Sequence, residues 1–392
     1  MSEPPPPLPW NALIRVNLAV LSFFLGFGCL LPIFPLWLQS YTSSQAEVGV
    51  ITTLAIGIGL ILARPLAARA MEGRRRAPTL AIGILCIAIP CALFPFLQHA
   101  SAIFCTRLVQ GLGYGLAGTA ALTAVTDLAP AERRGQVMGY FGAINALALL
   151  AGPALGAYVA RRAGADTAFH LAAALSLMSL VFLPGLLEPP KPKVDRAPLV
   201  EALRVPGMVR LALAHFIALL LHSTVVAFLP LRLVEHPGWM SVEGFFAIDA
   251  AVLIAFRVSI GRRFDAWGRR LFIGAGLFCL SMAGLALGLA DSDPGLATAA
   301  VLYGIGMGAY LPAVSARVGD VVPETHRARG FAVFLLAYDL AVACGGAIFG
   351  PLIDVLGVAT SLWIAGLVPL LAAAIHLVPL PTRTPVVRSS GS

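Results

Sequence analysis

Gly111-Leu112-Gly113-Tyr114-Gly115 is answered 193 residues later by Gly304-Ile305-Gly306-Met307-Gly308. The same offset carries Arg64-Pro65 onto Arg257-Val258. It also carries Asp127-Leu128-Ala129-Pro130 onto Asp320-Val321-Val322-Pro323. Three separate segments sharing one offset are hard to produce by chance, so the chain reads as two equivalent halves. Around these segments, apolar runs of roughly 20 residues recur along the whole length, six to each half. A run of that length crosses the hydrocarbon core of a bilayer as a helix. The expected fold is an all-α integral membrane protein of twelve transmembrane helices in two pseudo-symmetric six-helix bundles. Parallel repeats of this kind put a substrate site near the bilayer midplane, between the halves.

Composition agrees. The 392 residues are 59% hydrophobic and 12% charged, against roughly 25% charged in soluble domains. So few charges cannot coat a soluble globule. The same numbers exclude a disordered chain, a collagen-like fibre and a small disulfide scaffold. An outer-membrane barrel would show short alternating strands instead. The six cysteines all fall inside apolar runs and read as small buried apolar residues. The net charge of +8 would suggest nucleic acid in a soluble protein. Here the basic residues sit beside apolar segments, which points to membrane topology and to no nucleic-acid partner.

The spans are expected at about 14–38, 47–69, 77–97, 101–126, 135–160 and 167–187 in the first half. In the second they fall at about 208–232, 242–261, 271–290, 295–319, 330–353 and 359–380. That organisation makes 1–13 a tail, 14–187 an N-terminal bundle, 188–207 a linker, 208–380 a C-terminal bundle and 381–392 a second tail. The proline-rich start MSEPPPPLPWNA has no basic n-region and no small-residue cleavage site, so it does not read as a signal peptide. With the N-terminus inside, only Arg161, Arg162 and Arg232 face the opposite side, and Arg64, Arg107 and Arg257 lie within spans. All other basic residues collect on one side, which predicts an even number of spans with both termini cytoplasmic.

Several short motifs belong to these helices. The loop after span 8 runs Gly261-Arg262-Arg263-Phe264-Asp265-Ala266-Trp267-Gly268-Arg269-Arg270. A small residue, an acid and an arginine cluster in a tight turn suit a charge-paired clamp between neighbouring helices. Its first-half equivalent carries Arg69, Glu72, Gly73 and Arg74. Span 4 holds Arg107, Gln110, Gly111 and Gly113; span 5 holds Gly139, then Gly152, Pro153 and Gly156. The glycine pairs at four-residue spacing are also what close helix contact requires.

Together these motifs resemble the major facilitator superfamily of secondary transporters, over nearly the whole chain. The resemblance is to bacterial drug and metabolite efflux members, some of which export metallophores. It implies that the loops at Arg69, Glu72, Arg74, Gly261, Arg262, Asp265, Gly268 and Arg269 gate the transporter. It implies that Gly139, Gly152, Pro153 and Gly156 form the span-5 antiporter motif. Two departures stand out: Glu72 replaces the family's usual aspartate, and Ala148 occupies the motif's middle glycine position. A bacterial inner membrane and a monomer are the expected setting.

Ionisable groups inside spans are costly and commonly functional. Asp339 lies about ten residues into span 11, or roughly 15 Å at 1.5 Å per residue. An unpaired charge there costs roughly 2.5–3.5 kcal/mol on insertion scales. Asp339, Asp249 and Arg107 are the expected proton-coupling residues. A plain structural role is the alternative for each, and Arg107 needs a counter-charge or carbonyl partners. Arg64 and Arg257 are expected to pair with Asp127 and Asp320. Gln110, Tyr114, Asn145, His215, His222, Tyr310 and Tyr338 are assigned to the substrate cavity. His215 and His222 are seven residues apart and share a helix face, but two histidines do not make a metal site. No metal or cofactor is expected, only the proton gradient.

The function these features predict is export of a small organic molecule (a drug, toxic metabolite or siderophore-like compound) by proton antiport with alternating access. Proton-coupled uptake of a sugar or organic acid is the alternative, and a non-transporting membrane sensor a more distant one. No nucleophile elbow, metal triad or phosphate loop suggests an enzyme.

Overall fold

The computed structural model describes residues 8–72, 76–130, 133–183, 200–234, 236, 238–260, 268–322 and 327–377. Among them there is no strand. In the first half, α1 is Trp10–Leu38. α2 starts at Gln45–Gly49, passes through a π-helical turn at Val50–Leu54 and continues as Ala55–Glu72. α3 is Arg76–Leu93, α4 Ala100–Leu128, α5 Arg134–Ala163 and α6 Ala165–Met178. In the second half, α7 is Met208–Val234, α8 Val242–Ile260, α9 Arg269–Leu289 and α10 Asp293–Val321. The helical run Arg327–Leu377 breaks at Gly357 into α11 (327–356) and α12 (358–377). A single turn, Val200–Leu203, precedes α7.

These helices follow the apolar runs within a few residues; the largest differences are an earlier start for α1 and earlier ends for α3 and α6. Among the described residues, nine helices are long and apolar enough to cross a membrane. α8 carries three charged residues, Glu243, Asp249 and Arg257, and is not among them, and the run from Arg329 to His376 counts once although Gly357 divides it. Twelve crossings are consistent with this set.

The repeat seen in sequence is repeated in packing. Gly83 on α3 lies against the Gly113 carbonyl and Ala117 amide of α4, and Gly276 on α9 lies the same way against Gly306 and Tyr310 of α10. Gly111 meets the Ile56 carbonyl, and Gly304 meets the Asp249 carbonyl. Each second-half member stands at the repeat offset from its first-half counterpart. So do the two breaks that turn α5 into α6 and α11 into α12. These are Gly164 at φ 90° and Gly357 at φ 79°, a region that residues with a Cβ adopt only under strain.

The two halves meet chiefly along α2 and α11. Small residues make this seam: Gly49 touches the Gly346 carbonyl, Gly57 touches Ala343, and Gly350 touches Gln45. A side chain on any of these would hold the backbones apart. Thr53 Oγ1 donates to Gly49 O at 2.9 Å and lies 3.4 Å from Ala343 O, inside the π turn. We call the end of the bundle away from both chain termini the distal end. There Asp354 of α11 accepts from Ser44 Oγ at 3.1 Å, Gln45 N at 2.6 Å and Ala46 N at 2.9 Å. On the other diagonal, Arg161 of α5 pairs with Glu243 of α8 at 2.7 Å. By contrast, Gly118, Gly139, Gly142 and Gly319 have open space where a Cβ would stand.

Candidate functional site

The α2–α11 seam ends at a charge pair. Because the backbones run so close above it, Arg64 of α2 reaches Asp339 of α11 with both arms of its guanidinium. Nε donates to Oδ2 at 2.8 Å and Nη2 to Oδ1 at 3.1 Å. This bidentate geometry is the strong form of the contact. Asp339 is 2% exposed, whereas Arg64 keeps 31%. The pair therefore joins the two halves, and one partner is accessible while the other is sealed.

This corrects the sequence expectation for Arg64. Asp127 is taken by Arg76 at 2.6 Å, and Asp320 by Arg269, which also donates to the Ala316 carbonyl at 3.0 Å. Arg64 lies eight residues before the end of α2, roughly 12 Å deeper along the axis, so it cannot reach Asp127 at the helix terminus. The sequence does carry the signal: Arg76 and Arg269 are themselves repeat mates. Among the described residues Arg257, the repeat mate of Arg64, has no acidic partner, and its Nε is buried without a hydrogen bond.

In the first half, Arg107 of α4 is 1% exposed. Its Nη1 donates to Gln110 Oε1 at 2.5 Å, and its Nη2 lies 3.5 Å from the Thr52 carbonyl in the π turn. The guanidinium sits 4.1 Å from the Phe34 ring centroid, a cation–π contact. Gln110 in turn donates to Cys91 Sγ at 3.1 Å. No carboxylate is among these partners, and Arg107 Nε and the Tyr114 hydroxyl are buried without a hydrogen-bond partner. Of the two kinds of partner expected, a counter-charge or carbonyls, Arg107 has the second, the Gln110 amide oxygen and the Thr52 carbonyl, with an aromatic face beside them.

The second half carries two histidine–tyrosine pairs. His215 Nδ1 is 3.0 Å from the Tyr310 hydroxyl, and His222 Nδ1 is 2.5 Å from the Tyr303 hydroxyl. The seven-residue spacing on α7 matches the seven-residue spacing on α10, so both pairs form along one helix contact. His215 stacks on Phe334 at 3.9 Å between centroids. Tyr338 lies between the pairs, 6.4 Å from His215 and 6.3 Å from His222. Asp249 packs beside Gly304, the residue after Tyr303. Asp249 Oδ1 is buried with no hydrogen-bond partner. Sequence reasoning does not single out Tyr303, although it is the repeat mate of Gln110.

The structure thus gathers Arg107, Gln110 and Tyr114 in one half. It gathers Asp249, His215, His222, Tyr310 and Tyr338 in the other, with Asp339 bridging. Asn145 stands apart on α5, half-buried with Oδ1 unpartnered. In the span-5 motif, Gly152 packs on Gly28 beside Pro153, and Gly156 packs on the Cys29 backbone, but Gly139 faces open space. Of the gating residues, Arg69 is exposed and Glu72 ends α2. Gly268 caps α9 at φ 84°. Arg74, Gly261, Arg262 and Asp265 lie outside the described residues. Of the cysteines, Cys29 and Cys91 are buried, whereas Cys105 is exposed on an apolar helix face rather than in a core. Among the described residues no group of three or more His, Cys, Asp or Glu could hold a metal.

Comparison with known proteins places this arrangement. A stretch of 130 residues is 31% identical to the 4-hydroxybenzoate transporter PcaK of Pseudomonas aeruginosa, covering 33% of this chain and 29% of that one. Another, of 172 residues, is 20% identical to the quinolone resistance protein NorA of Staphylococcus aureus, covering 44% of each. The matches thus span less than half the length of these curated relatives. Among solved structures, the inward-open xylose transporter XylE from E. coli superposes with a TM-score of 0.78 at 16% identity, covering 96% of this chain and 97% of that one. The human organic anion transporter MFSD10 superposes at 0.68 and 20% identity, covering 95% and 100%. At such identities the likeness is one of fold. The sequence model of the Major Facilitator Superfamily matches residues 16–294 and 246–391. With apolar helices along its length and that match from end to end, the chain is a multi-pass membrane protein that belongs to the Major Facilitator Superfamily.

Proposed function

We propose that the chain exports a small organic molecule in exchange for protons, by alternating access, with Asp339 as the coupling carboxylate. The observation that carries this reading is the Arg64–Asp339 pair. A buried carboxylate held by a cation from the opposite half couples protonation to the contact between halves. Ionised, Asp339 ties α2 to α11. Protonated, it keeps hydrogen-bonding capacity but loses the charge that makes the fork strong, and the seam can open. A ligand that shifts the balance between the two arrangements does so only through its difference in affinity for them.

On this reading both termini are cytoplasmic and the distal end is the outer face of a bacterial inner membrane. The 1–13 and 381–392 tails and the 188–207 linker then lie inside, flanking two bundles at 14–187 and 208–380. The transporter acts as a monomer, takes no cofactor and draws on the proton gradient. Support for export comes from the tight packing of Gly152 and Gly156 on α1 and from the partial likeness to NorA. Drugs, toxic metabolites and siderophore-like compounds are the substrate classes proposed.

A second reading is uptake of an organic acid. It rests on Arg107, a buried cation with no acidic partner among the described residues, and on the partial likeness to PcaK. Everted and right-side-out vesicles, loaded in turn with a panel of drugs and aromatic acids while internal pH is followed, separate the two. Export requires accumulation in everted vesicles with proton release. Accumulation only in right-side-out vesicles, with proton entry, contradicts it.

A further inference from the structure

The second half holds a line of polar side chains that a packed apolar bundle does not need. Asp249 of α8 enters the bundle about seven residues from the distal end, with Oδ1 buried and unpartnered. Its backbone carbonyl packs against Gly304 of α10, the residue after Tyr303. Tyr303 is hydrogen-bonded to His222 Nδ1 of α7. The His222 ring lies 6.3 Å from the ring of Tyr338 of α11, and Tyr338 immediately precedes Asp339. Four helices each contribute one member, and the line runs from the distal third to the middle of the bundle. In the first half, the repeat mates of Asp249 and His222 are Ile56 and Cys29. The packing of the repeat therefore works without these groups, and some other demand placed them here.

We propose that Asp249, Tyr303, His222 and Tyr338 form a proton path from the distal face to Asp339. This rests on the coupling role of Asp339 proposed above. A hydroxyl and an imidazole can each accept a proton on one side while giving one up on the other. A proton arriving on Asp249 passes through a bridging water to the Tyr303 oxygen as the Tyr303 hydroxyl proton moves to His222 Nδ1. His222 releases its Nε2 proton toward Tyr338, across a gap that one bridging water spans. The Tyr338 hydroxyl proton then goes by way of a bridging water to an Asp339 oxygen. One proton enters, one arrives, and each intermediate group ends neutral with its hydrogen reversed.

The surroundings favour passage over trapping. The only fixed charge the described contacts bring to Asp339 is Arg64. His222 faces Tyr303 and Tyr338 and no charged partner. The neighbouring His215 faces Tyr310, Phe334 and Tyr338, and the His376 ring of α12 lies beyond Tyr310, 6.5 Å away between centroids. Tyr310 stands seven residues past Tyr303 on α10, away from Asp249, so the His222 branch is the one that meets the entry carboxylate.

The test needs no substrate. Protein reconstituted with uniform orientation in liposomes is acidified on the distal face only. Protonation of Asp339 is followed by time-resolved infrared spectroscopy, its carboxyl band identified by loss in Asp339→Asn. The path predicts that Tyr303→Phe and His222→Gln each slow the rise of that band at least tenfold and leave its final amplitude unchanged. Asp249→Asn is predicted to slow it as well, and replacing water by D2O to slow the wild type. Should His222→Gln fail to fold, the conservative Tyr303→Phe carries the test. A wild-type rate in Tyr303→Phe and Asp249→Asn overturns the path while leaving coupling through Asp339 intact. An Asp339 band that never rises in the wild type overturns both.

Discussion

Replacing Asp354 by asparagine tests how the distal end is held shut. Asp354 sits at the far end of α11 and accepts three hydrogen bonds from the start of α2, two of them from the backbone amides of Gln45 and Ala46. Those amides belong to the first turn of a helix, where they have no partner within the helix and where the helix dipole favours negative charge. Asparagine keeps the size but removes the charge, and its amide group must turn away from one of the donors. An exposed charge at a helix N-terminus contributes about 0.3–1 kcal/mol. The site is exposed, so screening argues against a larger figure. A loss of about 1 kcal/mol amounts to roughly a fivefold change in the equilibrium between closed and open distal ends. Hydrogen–deuterium exchange reads this directly, because Asp354 occupies the Gln45 and Ala46 amides only when the end is closed. Asp354→Asn should speed exchange in the peptide spanning 43–50 about fivefold and leave the core of α9 unaffected. Unchanged exchange at 43–50 would refute the claim that this carboxylate holds the halves together.

Two further outcomes follow from the packing. Arg64→Ala leaves Asp339 buried without its partner, which should lower the melting temperature; adding Asp339→Asn should recover most of the loss, since a broken buried pair costs more than a neutral one. If the double variant melts below Arg64→Ala, the pair is not the unit described here. Gly111→Val should sharply reduce the yield of folded protein, because its Cβ would collide with the Ile56 carbonyl, whereas Gly139→Ala, with open space around it, should melt like the wild type. Equal effects at both glycines would contradict the packing.

Much of this architecture is legible in the sequence because its cause is local. Span length follows from bilayer thickness, and apolar runs of that length have few alternatives to a helix. The single repeat offset also announces the paired glycine contacts and the two breaks at Gly164 and Gly357. The charge pairs are harder. Arg64 and Asp127 both lie near one end of neighbouring spans, which suggests a pair, yet depth along the helix excludes the contact. Its true partner, Asp339, sits 275 residues away on a helix brought close only by the Gly49, Gly57, Gly346 and Gly350 seam. No periodicity within one half reports on that seam, since it exists only when the halves meet. Arg76 and Arg269 are within reach of sequence reasoning, because the repeat marks both of them. Tyr303 escapes it because a tyrosine in an apolar run looks like core until its hydroxyl is seen on His222.

The central claim is that Asp339 couples proton movement to transport. The most direct measurement is uphill accumulation of an identified substrate in vesicles carrying Asp339→Asn, with a proton gradient imposed and exchange of labelled substrate measured beside it. Coupling through Asp339 predicts that gradient-driven accumulation falls to background while downhill exchange persists in part. Uphill accumulation at the wild-type rate in Asp339→Asn would contradict it, leave the Arg64 pair as a structural tie, and make Asp249 the coupling carboxylate to test next.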